Sequence, residues 1–118
     1  MKKKTFLAIY LGSLAAMKKW EKLPAKIRRE REAAGIQAWM AWAAKNAKSI
    51  AHAGGPLGST KRIDRKGIAN SRNEMGAFTL VQATSHAAAA KLFKNHPHFT
   101  IFPGESVEIM ECLPIPGR

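Results

Sequence analysis

Four histidines, His52, His86, His96 and His98, are the residues best equipped for chemistry near neutral pH. An unperturbed imidazole changes charge between about pH 5 and 8, so each could exchange a proton with a bound molecule. His96 and His98 lie two apart and share a side only where the backbone is extended. A metal held by these rings together with His86 or His52 would find no carboxylate nearby in sequence. The lone cysteine, Cys112, excludes an intrachain disulfide and any multi-cysteine zinc or iron–sulfur site. It alternates with Met110 on one strand face and reads as an inert buried thiol. Gly54-Gly55-Pro56 lacks the spacing and the following helix of a phosphate loop, and no Ser–His–Asp triad can be assembled. No metal and no other cofactor is therefore expected.

Other polar and aromatic groups could shape a cleft. Asn70, Ser71, Arg72 and Asn73 are hydrogen-bond donors in a row, with Arg72 or Asn73 as a ligand anchor; the same run could equally be a solvated loop. Trp39 and Trp42, three apart on a helix, share a face, which suits core or subunit packing as well as a ligand platform.

These residues have to be positioned by a small fold. At 118 residues the chain is a single domain, 1–118, and its 46% hydrophobic and 24% charged composition argues against disorder. Lys2, Lys3 and Lys4 precede an apolar run, residues 6–16, with the layout of an export signal cleaved near Ala16. The competing reading is a buried strand over 5–11 closed by Gly12 and Ser13, and the need for a fourth strand favours it. It makes the protein cytoplasmic; the alternative, residues 1–15 as a signal peptide, makes it exported. The run is too short to span a bilayer as a helix.

After a linker with Trp20 and Leu23-Pro24, residues 25–49 read as a helix. Pro24 suits its first turn. One stripe carries Ile27, Ala34, Ala38 and Trp42, with Ile36, Met40, Ala43 and Ala47 beside it. Residues 53–58 break the helix, 59–64 are extended, and Arg65-Lys66-Gly67 turns the chain. A strand over 77–84 follows, then a helix over 86–94 capped by Ser85 and ended by Pro97, and a last strand over 107–113. The order is β-α-β-β-α-β, an α+β, ferredoxin-like fold. Neither face of the 77–84 strand is strongly polar, so both want burial, and a second sheet from another copy supplies it. A homodimer is expected.

The ordered set Gly54-Gly55-Pro56-Leu57-Gly58, Gly76-Ala77-Phe78-Thr79-Leu80-Val81-Gln82-Ala83, Ser85-His86 with its alanine run, Pro97-His98-Phe99 and Ser106-Val107-Glu108-Ile109-Met110-Glu111 resembles the YCII-related (DGPF) family. Trp39-Met40-Ala41-Trp42 is similar to the tryptophan-bearing first helix of that group. The resemblance covers nearly the whole chain and implies a dimeric α/β barrel. It also implies a cleft in which His98 acts as acid or base, bordered by helix one, the 54–58 turn and the 97–99 segment. Site residues on this reading are His98 as the catalytic group, with Trp42, Gly55, Pro56, Arg72, Asn73 and His96 as ligand-binding residues. The family pattern places an aspartate before Gly-Pro; Gly54 stands there, and the sole aspartate, Asp64, lies on the following hairpin.

The charge points to a different class of function. Residues 1–72 carry 17 basic and 4 acidic side chains, net +13, whereas residues 73–118 carry 3 and 4, net −1. Such asymmetry can attract nucleic acid, anionic lipid or an anionic small molecule. An RNA-recognition fold shares the strand and helix order, but its stacking chemistry needs paired exposed aromatics on central strands, and the 77–84 strand offers only Phe78. Nucleic acid is therefore not the expected partner. The sequence reading is a small-molecule-binding homodimer, with an RNA- or anion-binding module and a non-catalytic structural dimer as the alternatives.

Overall fold

The segment that reads both as leader and as strand is β1 (Lys4–Leu11), one of the two inner strands of the sheet, in a computed structural model that describes residues 2–117. It is flanked by β5 (Met75–Ala83) and β6 (Ser106–Glu111), and β2 (Ile50–Pro56) adds to the far side of β5. All three pairings are antiparallel, giving the order β2-β5-β1-β6. Alternation sorts the side chains by face. Phe6, Ala8 and Tyr10 of β1 and Thr79, Val81 and Ala83 of β5 are buried, joined by Ala89 and Phe93 in one core. On the opposite face Leu7, Ile9, Phe78 and Leu80 stay half-buried and Met110 is exposed. That face is apolar and lacks a covering layer in a single protomer.

Two helices link β1 to β2. Ser13 caps α1 (Leu14–Glu21) by accepting from the Ala16 amide at 3.1 Å, and the helix buries Trp20. This segment was expected to be a linker. Its eight residues are short, yet Ser13 and the Leu14, Met17, Trp20 spacing are the signals that mark it. After Pro24 comes α2 (Ala25–Lys45), followed by a 3-10 turn, Ala47–Ser49. Its inward side carries Glu32, Gly35, Trp39 and Trp42, whereas Ile27, Ile36 and Met40 are 41–67% exposed. The two indoles, as the largest apolar groups, set the helix's rotation and turn the expected aliphatic stripe outward.

Two further readings change. Residues 53–58, expected as a break, belong largely to β2, and the expected second strand at 59–64 is instead β3 (Thr60–Asp64), which pairs with β4 (Gly67–Ser71) in a separate hairpin. β2 tolerates its glycines and proline because it is an edge strand with register shifts against β5. At Gly54, φ is +69°, and a side chain there would collide with the Phe78 carbonyl. The helix after Ser85 is α3 (His86–Lys91), shorter than expected, and Asn95 at φ +57° reverses the chain. Pro97, expected to end that helix, instead opens a further short one, α4 (Pro97–Thr100), because α3 has already stopped at Lys91. The core order remains β-α-β-β-α-β, with the hairpin inserted between its second and third strands.

Candidate functional site

The packing of α1 and α2 against one end of the sheet leaves a cavity of about 800 Å³. Tyr10, Trp20, Trp39 and Phe102 supply aromatic wall, with Trp20 and Trp39 both about 6 Å from the Phe102 ring. Residues 53–56 of β2 and 73–79 around β5 form another side, and 102–104 close the end. A pocket of this volume and apolar lining matches the usual dimensions of a small-molecule site.

His98 stands on this wall, half-buried. Its Nε2 lies 2.7 Å from the Leu11 carbonyl, so in the neutral ring Nε2 carries the proton and donates it. Gly104 packs directly against the imidazole, where any side chain would displace it. Burial lowers the pKa of His98, while backbone bonds to Leu11 and Ser106 pull it the other way. The ring is therefore neutral at pH 7, and backbone groups stand ready to stabilise the imidazolium.

Tyr10, also on the wall, bonds Thr79 Oγ1 at 3.0 Å, and Thr79 Oγ1 donates to the Ala53 carbonyl at 3.2 Å. A threonine hydroxyl has one proton, so the Tyr10 hydroxyl is the donor to Thr79. Burial raises the tyrosine to about 12, against the opposing Thr79 bond, and it stays protonated. Its oxygen keeps lone pairs as acceptors.

Of the residues singled out from sequence, His98, Gly55, Pro56 and Asn73 line the cavity. Both ends of the Asn73 amide are occupied at the hairpin base, Nδ2 with Thr60 Oγ1 at 3.2 Å and Oδ1 with the Met75 amide at 2.9 Å. Arg72 is exposed and off the wall. Trp42 turns to the interior instead, donating Nε1–H to the Leu92 carbonyl at 2.6 Å and packing on Phe93. His96 is fully buried between Trp39 and Trp42, with ring centroids 4.5 and 4.6 Å away. Its Nδ1 accepts from the His98 amide at 3.0 Å, which caps α4 and leaves the proton on Nε2. Nε2 has no hydrogen-bond partner and lies among indole rings, where an N–H···π contact is the available compensation. Burial, with a smaller push from His98, holds this histidine at about 4. It is a neutral core group, away from the cavity.

Several site residues were missed. Tyr10 and Thr79 look like ordinary strand positions, and Trp20 and Phe102 meet only in three dimensions. Asp64 sits in the hairpin, 3.6 Å from Arg62 Nε and accepting from the Lys66 amide, and is not on the wall. Cys112, expected to be buried, is exposed, because it lies past the end of β6 on the side of Met110. Among the described residues no three of His, Cys, Asp and Glu converge as a metal ion requires. An anionic ligand, one of the alternatives raised by the charge, would find no lysine or arginine among the described lining residues, and Glu32 and Glu74 stand there instead.

No protein-family model and no curated protein matches the chain. Among solved structures it is similar to 5-chloro-2-hydroxyhydroquinone dehydrochlorinase from Burkholderia phenoliruptrix AC1100, in complex with 2,5-dihydroxybenzoquinone. The two are 19% identical over 90% of each chain, with a TM-score of 0.51. At that identity the likeness concerns the fold alone, an α+β, ferredoxin-like architecture. Among the described residues no helix is long and apolar enough to cross a membrane.

Proposed function

We propose that this chain is a small-molecule-binding protein of the YCII-related kind, in which the cavity takes a ring-sized apolar ligand and His98 serves as its acid–base group. The observation that carries this reading is a half-buried, neutral imidazole on the wall of an aromatic cavity. A neutral ring can accept a proton, and the backbone bonds to Leu11 and Ser106 favour the resulting imidazolium. Tyr10 lies on the same wall with its hydroxyl held by Thr79. That the solved neighbour was captured with a quinone, a planar ring compound, is consistent with a ligand of this size. The protein works as a homodimer in the cytoplasm, its apolar sheet face, which includes Leu7 and Ile9 of β1, covered by the same face of a second copy.

The test is binding of 2-naphthol, followed by quenching of the wall tryptophans, from pH 5 to 8. Wild type should bind with an affinity that changes on the acid side of the ordinary histidine value, where His98, lowered by burial, takes up its proton. His98→Gln should keep Tm within a few degrees and bind with no pH dependence in that range. Unchanged pH dependence in the variant would refute the role of His98. Absence of quenching at millimolar 2-naphthol would refute the cavity as a binding site and leave a structural dimer.

A further inference from the structure

The chain carries net charge +12, and 17 of its basic residues fall in the first 72 positions. Four segments of that stretch border the cavity, at Tyr10–Gly12, α1, α2 and β2, yet among the described lining residues there is no lysine or arginine. The basic side chains Lys26, Arg29 and Arg31 of α2 and Lys61, Arg62, Arg65 and Lys66 of the hairpin are all exposed. The cavity's formal charges are Glu32, half-buried on the inward side of α2, and Glu74, exposed just before β5. Neither makes an ion pair among the described residues. The third titratable group facing the space besides Tyr10 is His98, which burial keeps neutral at pH 7. The cavity is thus a local negative site inside a cationic protein.

Its remaining wall reinforces that sign. Indole and phenyl faces carry negative quadrupole potential and attract ammonium groups within about 6 Å of the ring centroid. Trp20, Trp39 and Phe102 are gathered on one wall, and the carboxylates belong to the same cavity. An anionic ligand would meet two like charges and electron-rich ring faces with no counter-ion. A ligand with an ammonium group and an apolar body would satisfy both features.

We infer that the cavity selects an organic cation, an amine joined to a ring-sized apolar body, seated among the rings of Trp20, Trp39 and Phe102 and paired with the carboxylates of Glu32 and Glu74. This rests on the proposed reading of the cavity as a small-molecule site and adds the charge of its occupant. The likeness to a quinone-bound structure does not supply it.

Three isosteric probes separate the two claims: 1-naphthylmethylamine, 1-naphthylmethanol and 1-naphthoate, titrated calorimetrically at pH 7.5 and low salt. The amine should bind about tenfold more tightly than the alcohol, as expected for one cation–π or partly screened charge contact. The carboxylate should bind most weakly. Raising NaCl from 0.05 to 0.5 M should erode the advantage of the amine and leave the alcohol unchanged. Glu32→Gln should cut that advantage several-fold while the alcohol, as fold control, binds as in wild type. Should this variant fail to fold, Glu74→Gln at its exposed position reads the same effect. Equal binding of amine and alcohol, or tighter binding of the carboxylate, overturns the charge selection and leaves the cavity reading standing. Failure of all three to bind at millimolar concentration overturns both.

Discussion

Acidifying the protein from pH 7 to pH 4 should remove on the order of 3 kcal/mol of stability through His96 alone. In the unfolded chain this imidazole titrates near 6.5, whereas in the fold burial among Trp39, Trp42 and Tyr10 holds it at about 4. Between these values the unfolded state binds a proton that the native state does not, so stability falls as pH falls. The gap is worth roughly 1.4 kcal/mol per pH unit, which gives the magnitude. The contribution is fully present above about pH 6.5 and gone below about pH 4. His98, also lowered by burial, adds loss of the same sign. The comparison that isolates His96 is His96→Asn, since asparagine can still accept from the His98 amide as an N-cap but does not titrate. The variant will be less stable at pH 7 because the smaller side chain leaves space between the indoles. Its urea-unfolding free energy, followed by tryptophan fluorescence, should nevertheless fall less steeply from pH 6.5 to 4, by the same ~3 kcal/mol. Carboxylates titrating in that range contribute equally to both proteins and cancel. Parallel profiles for wild type and variant would refute the claim that His96 is a neutral, buried group.

Thr79→Val preserves shape but strips the Tyr10 hydroxyl of its acceptor and the Ala53 carbonyl of its donor, and should cost about 1–3 kcal/mol in urea unfolding. An unchanged midpoint would disprove the Tyr10–Thr79–Ala53 chain. The sheet face of Leu7, Ile9, Phe78 and Leu80 predicts twice the chain mass in sedimentation at micromolar concentration. Leu7→Lys should halve that mass with the far-UV spectrum intact, and a wild-type monomer at every concentration would end the dimer proposal.

The strands that alternate were legible because burial on one face imposes a period the sequence cannot hide. The helix after Pro24 was legible from its proline-free run of good helix formers and not from its stripe, which faces outward. β2 was not, since Gly54-Gly55-Pro56 is a breaker by local propensity, and only its edge position and a bulge at Gly54 make it a strand. The site divides in the same way. His98, Gly55, Pro56 and Asn73 could be picked by residue type, whereas Tyr10 could not, because a buried aromatic in a central strand reads as core whether or not it borders a cavity. Two close pairs show the limit most sharply. Trp39 and Trp42 share a helix side, yet one borders the cavity and the other closes on Phe93, because the cavity ends between them. His96 and His98 are two apart, yet Pro97 makes the first an N-cap turned into the core and carries the second into α4 on the cavity wall.

Charge illustrates why a global property misplaces a local one. The net +13 of residues 1–72 made an anion one class of ligand to consider, but Lys26, Arg29 and Arg31 sit on the outside of α2 and Lys61, Arg62, Arg65 and Lys66 on the hairpin, all exposed and hydrated. Beyond about 8 Å at physiological ionic strength their field is largely screened. What a ligand touches is set by the wall itself, and there the charged residues are Glu32 and Glu74. The basic surface therefore bears on solubility and on weak contact with polyanions, while the cavity follows the opposite sign.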